Sequence, residues 1–164
     1  AMSTVAEMTL EELEAKVRER MELIKRIVGF AEAITQARGR VTKREEQSWN
    51  TYIERKLEHF GGFSFHCSSG HGMMGGNDVE VWRTPQTQCV FSVDYQVKVE
   101  ECNVRTFRDS EEWLPALLHL IEHKDEVTAQ IMQTEEEERE RRRELAEANQ
   151  KRAKLLEQAR KLKL

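Results

Sequence analysis

Residues 89–99 read CVFSVDYQVKV, and their alternation decides the fold class. Phe91, Val93, Tyr95, Val97 and Val99 share one side of an extended chain; Ser92, Asp94, Gln96 and Lys98 share the other. A strict period of two marks a strand buried on one face only, and such strands belong to antiparallel sheets with one side on a core and one in solvent. The same period recurs upstream, where Phe63, Phe65 and Cys67 alternate with Ser64 and His66, and where Val79 and Val81 flank Glu80. Val104 and Phe107 mark a further strand over about 102–108. Two joins carry turn chemistry, the Gly-rich 70–77 and Thr84-Pro85-Gln86-Thr87. The join at Glu100-Glu101 has neither Gly nor Pro and reads as a bulge or irregular turn.

Outside this region the period lengthens to that of a helix. Thr9 and Glu12 have capping-box spacing, each side chain able to bond the other's backbone N–H. Leu10, Leu13, Val17, Ile24, Ile27, Ala31 and Ile34 then recur three or four apart, with Arg20 as the only polar entry in the stripe, up to a stop at Gly39. A second helix is expected from the Thr42/Glu45 pair, with Trp49, Tyr52, Ile53, Leu57 and Phe60 on one side and Gly61-Gly62 as its end. Asp109 and Glu112 again have capping-box spacing, and Pro115 is tolerable near a helix start. From Ala116 to Leu164 there is neither Gly nor Pro, so the pattern predicts one continuous helix of about 50 residues, roughly 75–80 Å long.

That helix keeps a heptad register. One seam position holds Leu117, Lys124, Ile131, Glu138, Leu145, Arg152 and Ala159; the other holds Leu120, Val127, Thr134, Arg141, Ala148, Leu155 and Leu162. The first half is apolar enough to dock on the sheet. Glu135 to Glu144 is all charge, and Glu135–Arg139, Glu137–Arg141 and Glu138–Arg142 are spaced to support the helix at about 0.2–0.5 kcal/mol each. Apolar residues then return, and Leu145, Ala148, Leu155 and Leu162 are the expected partner contact.

The expected architecture is therefore α+β: an antiparallel sheet of about four strands (about 63–108), flanked by two N-terminal helices (about 9–38 and 43–60) and one very long C-terminal helix from about 110. Residues 1–134 form the α+β domain, and 135–164 a charged, coiled-coil-like helical arm. Composition agrees. Of 164 residues, 38% are apolar and 34% charged, too much charge for a uniform globule and enough apolar surface for one small core. The net charge of −4 is unevenly spread: residues 109–144 carry −7 and residues 145–164 carry +4. An acidic block before a basic tail argues against nucleic-acid binding over the whole surface and leaves it open only to residues 151–163. No apolar run approaches the roughly 20 residues of a membrane span. Cys67, Cys89 and Cys102 are odd in number and unpaired in spacing, which suits free thiols in a reducing compartment. With no secretory pattern near the start, cytoplasmic residence is the expectation.

Three weak motifs remain. Gly70-His71-Gly72-Met73-Met74-Gly75 matches GxGxxG, whose glycines let a backbone approach a phosphate. In dinucleotide folds that string leads into a helix, whereas here strand residues follow, so a plain hairpin loop is the simpler reading. If the loop (70–76) binds a nucleotide or phosphate, Gly70, His71, Gly72, Gly75 and His66 are the residues concerned. His119 to His123 matches HxxEH, which places two histidines on one helix face with Glu122 as a base, without an evident third metal ligand. His66, Cys67, His71, Cys89 and Cys102 include no doublet of the kind structural zinc sites use. No catalytic residue, metal or cofactor is assigned. The expected function is noncatalytic: an interaction or scaffold protein that forms a homo-oligomer, a dimer by preference, or binds a partner coiled coil. The alternatives are ligand binding at the glycine loop and metal-dependent hydrolysis at the HxxEH string.

Overall fold

The computed structural model describes residues 4–38, 53–54, 57–69, 76–84, 87–96 and 98–164. Helix α1 spans Leu10–Ala37. Strands β1 (Ile53–Glu54), β2 (Glu58–Phe60), β3 (Phe63–Ser69), β4 (Asn77–Arg83), β5 (Gln88–Tyr95) and β6 (Cys102–Phe107) follow, then helices α2 (Trp113–Glu122) and α3 (Lys124–Lys161). Every strand pairing is antiparallel, and the order follows the chain: β1 and β2 share one edge of β3, then come β4, β5 and β6. The architecture is α+β with an antiparallel sheet and a long C-terminal helix. The sheet has five lanes, one more than the alternation alone shows.

The extra lane lies where a second helix is expected. Residues 39–52 and 55–56, with the Thr42/Glu45 pair, Trp49 and Tyr52, lie outside the described residues. Residues 53–54 and 58–60, however, are strand and not helix. Gly61 and Gly62 have φ of +58° and +83°, the left-handed pair that a two-residue hairpin requires. They fold Glu58–Phe60 back onto Phe63–Phe65.

The core is the face that the alternation marks. Phe65, Val81 and Phe91 stand side by side across β3, β4 and β5, with Cys67, Val79 and Val93 as the next row. All six are buried against the second half of α1, through Ile24, Ile27, Val28, Phe30, Ala31 and Ile34. Phe30 meets Phe65 edge to face at 5.6 Å between centroids. A bulge between β4 and β5 leaves Val90 without an opposite residue, so Val90 and Phe91 are both buried. β5 ends at Tyr95; Val97 lies outside the described residues, and Val99 opens a 3-10 turn, Val99–Glu101, that makes the irregular join.

The helices also depart from expectation. The Thr9/Glu12 capping box forms, at 3.2 and 3.4 Å. The stripe on α1 is buried only from Ile24 onward; Leu10 and Val17 are exposed. Asp109 does not cap α2. It pairs at 2.5 Å with Arg20, and the helix starts at Trp113, which seats Pro115 in the first turn, where no backbone N–H is missed.

The long helix is interrupted at His123, whose φ of −105° and ψ of 27° leave the α region. A straight heptad from Leu117 turns Lys124 inward. In the structure Lys124 is exposed, while Trp113, Leu117, Val127 and Ile131 are buried. Past the break α3 buries Val127 and Ile131 and leaves Lys124, which the straight heptad would place in line with Leu117 and Ile131, in solvent. α3 alone has 38 residues, about 57 Å at 1.5 Å each.

Candidate functional site

The exposed part of α3 starts where the core stops. Ile131 is its last buried hydrophobic residue. One turn on, Glu135 is held by Arg38 at 4.0 Å, Arg139 at 3.9 Å and Arg142 at 3.6 Å. Arg38 in turn bonds Glu58 on β2 at 2.7 Å, so one ion network ties together the end of α1, the sheet edge and the root of the arm. Of the expected support pairs, Glu135–Arg139 is present. Arg142 turns to Glu135 while its Nε donates to the Glu138 carbonyl, and Glu137 accepts from Gln133.

Beyond this root, the side chains of 139–164 are exposed apart from a half-buried Ala159. Leu145 is 62% exposed, Leu155 55% and Leu162 71%, and Ala148 lies open between them. All four sit on the seam the heptad register marks. Leu156 and Leu164 widen the apolar edge. Lys151, Lys154, Arg160, Lys161 and Lys163 flank it in solvent, and Arg152 sits on the seam itself.

A second polar constellation is built on the outer face of the sheet. Register sets His66 opposite Glu80, Glu80 opposite Ser92, and Ser92 opposite Thr106. His66 Nδ1 lies 3.8 Å from Glu80 Oε2, which also accepts from Trp82 Nε1 at 3.3 Å. Arg105 donates to Asp78 at 3.1 Å and lies 4.0 Å from Glu80. The acids and bases of this ladder face one another across the strands. Ser64 Oγ and His59 Nδ1 are 2.9 Å apart, but Ser64 is fully buried, so its hydroxyl is closed to a substrate. Cys89 and Cys102 keep thiol pKa values above the usual range, both chiefly because burial disfavours the thiolate, with Glu80 adding to the effect at Cys89. Neutral thiols are poor nucleophiles and poor metal ligands. Sequence reasoning missed this ladder because it depends on which strand residues stand opposite each other.

Of the glycine-loop residues, only His66 is described, and it belongs to that ladder; Gly70, His71, Gly72 and Gly75 lie outside the described residues. The groove next to Gly76, about 420 Å³, is lined by Asp78, Asp94 and Glu101 together with Tyr95 and Asn103. Asp78, one of these three carboxylates, is paired with Arg105. His119 and His123 have ring centroids 4.7 Å apart, and His123 Nδ1 lies 2.9 Å from the His119 carbonyl. His123 stands at the helix break, so the two rings are not set by a continuous turn. Among the described residues no group of three or more His, Cys, Asp or Glu is placed to hold a metal ion, and no helix is long and apolar enough to cross a membrane. Compared with protein-family models, curated proteins and solved structures, the chain matches none.

Proposed function

We propose that this protein is an association module: a sheet-and-helix body carrying a helical arm that pairs with a second copy of the same chain. The observation that carries this reading is the exposure of Leu145, Leu155 and Leu162 at seam positions of a helix whose last buried hydrophobic side chain is Ile131. An exposed seam of this kind gains most by meeting another helix.

The magnitudes suit a reversible contact. Burying one leucine contributes about 1.5–3 kcal/mol, so six across a pair contribute roughly 9–18 kcal/mol. Association itself costs about 4–15 kcal/mol. The two ranges overlap, and the alanines and the charged flanks decide the sign of the balance. The test is the mass in solution of the full chain and of a chain ended at Glu144. The full chain is expected at twice its monomer mass and the shortened chain at one. Equal subunit numbers for the two would sink the proposal.

A further inference from the structure

Resting on that reading, we infer that the two arms pair antiparallel, with Leu145 of one copy level with Leu155 of the other. The three charged side chains on the seam carry the argument. Side by side and in register, parallel arms set Glu138 against Glu138, Arg141 against Arg141 and Arg152 against Arg152. Like charges brought together across a seam repel with little water to screen them. In the antiparallel register, Arg152 lies level with Ala148, Arg141 with Ala159 and Glu138 with Leu162. Each charged side chain then faces a small or apolar residue, over which its stem packs while its charge reaches solvent.

The flanks select the same orientation. Residues 136–140 hold four glutamates and one arginine, a net −3, and residues 160–164 hold Arg160, Lys161 and Lys163, a net +3. Antiparallel pairing lays 136–140 of each copy along 160–164 of the other. Parallel pairing lays −3 on −3 and +3 on +3. The span also begins beyond the body's own ion network: Glu135 is engaged by Arg38, and pairing begins one residue further on. Sliding the arms by a heptad so that Leu145 meets Leu162 would lay Lys151, Arg152 and Lys154 of one copy along the same three residues of the other. The proposed register avoids this.

The test uses full-length Leu145→Cys and Leu155→Cys chains, each alone and mixed after subunit exchange, under mild oxidation. The wild-type chain gives the background from Cys67, Cys89 and Cys102, and each sample's mass is measured in parallel. A covalent dimer from the mixture only is the expected result, because in the antiparallel pair like positions are ten residues, about 15 Å, apart along the axis. Self-cross-linking of Leu145→Cys alone would mean parallel arms; that overturns this inference and leaves the association standing. A dimer by mass with neither band overturns the register. A monomer by mass overturns this inference together with the reading beneath it.

Discussion

Arg38 Nε lies 2.7 Å from Glu58 Oε2, and the Glu58 side chain is only 1% exposed, on the core side of an edge strand. The guanidinium at the end of α1 is an ion-pair partner of this buried carboxylate. Replacing Arg38 by Met withdraws that partner and is expected to cost about 3 kcal/mol, the low end for breaking a buried ion pair from one side. Urea unfolding of the two proteins measures it. A change below about 1 kcal/mol, the range of exposed pairs, would show that the pair is not felt as buried.

Trp113 closes the opposite side of the core. It is fully buried, lies edge to face with Phe107 at 6.1 Å and donates its Nε1–H to the Arg108 carbonyl. Trp113→Ala is expected to destabilise by about 3–5 kcal/mol, as for other buried aromatics. Trp113 packs on Phe107 of β6 and anchors the first turn of α2, so the variant should melt at a lower temperature than wild type in thermal scans. A single unshifted transition contradicts this.

Gly61 occupies the left-handed region at φ +58°, and a Cβ there would stand 2.6 Å from Leu120 Cδ1. Gly61→Ala should therefore lose about 1–2 kcal/mol for the backbone conformation. The Leu120 side chain is flexible and can move aside, so truncating Leu120 in the same chain should recover little of the loss. Full recovery would place the strain in the contact and not in the turn.

Leu145→Glu combined with Leu155→Glu alters only exposed seam positions. The doubly changed chain should run at monomer mass while the melting of the body stays within about 0.5 kcal/mol of wild type, as surface changes do. Val17→Glu, on the exposed first half of α1, is expected to leave both the mass and the melting unchanged. Dissociation by Val17→Glu would move the contact from the arm to α1.

Lys25 Nζ lies 2.5 Å from Glu100 Oε1, joining α1 to the 3-10 turn after β5. The hydrogen bond from Lys25 holds the Glu100 carboxyl below its ordinary 4.5, and the same bond holds Lys25 above 10.5. A lowered carboxyl contributes stability above its ordinary pKa and loses it as pH falls through the folded value; a raised amine loses its contribution as pH climbs through the folded value. The pair therefore contributes between these two limits. Glu100→Gln should lower the melting temperature slightly near neutral pH, and the gap should close in strong acid. A gap that persists unchanged into acid would exclude this linkage.

The face of β5 that holds Phe91, Val93 and Tyr95 was readable from its period alone, as was the seam that leaves Leu145, Leu155 and Leu162 in solvent. Both are local patterns. The strand at Glu58–Phe60 was not readable, because Gly61-Gly62 serves equally as a helix stop or as a hairpin turn, and pairing with β3 decides between them. The break at His123 carries no Gly or Pro, so no local signal marks it; a straight heptad brings Lys124 to the seam, and the structure leaves it exposed. The ladder of His66, Glu80, Trp82 and Arg105 needs the strand register, which a single segment does not encode.

The unbroken run of α3 past Glu135 gives the molecule a measure of length. With the arms laid antiparallel as inferred above, the two anchoring glutamates are thirty helical positions apart, about 45 Å along the shared axis. An α-helix resists stretching, so whatever each body carries on its outer sheet face would be held at a fixed span from its twin. Every heptad added to or removed from the arm on the body side of the paired leucines would change that span by about 21 Å, since both copies lengthen together.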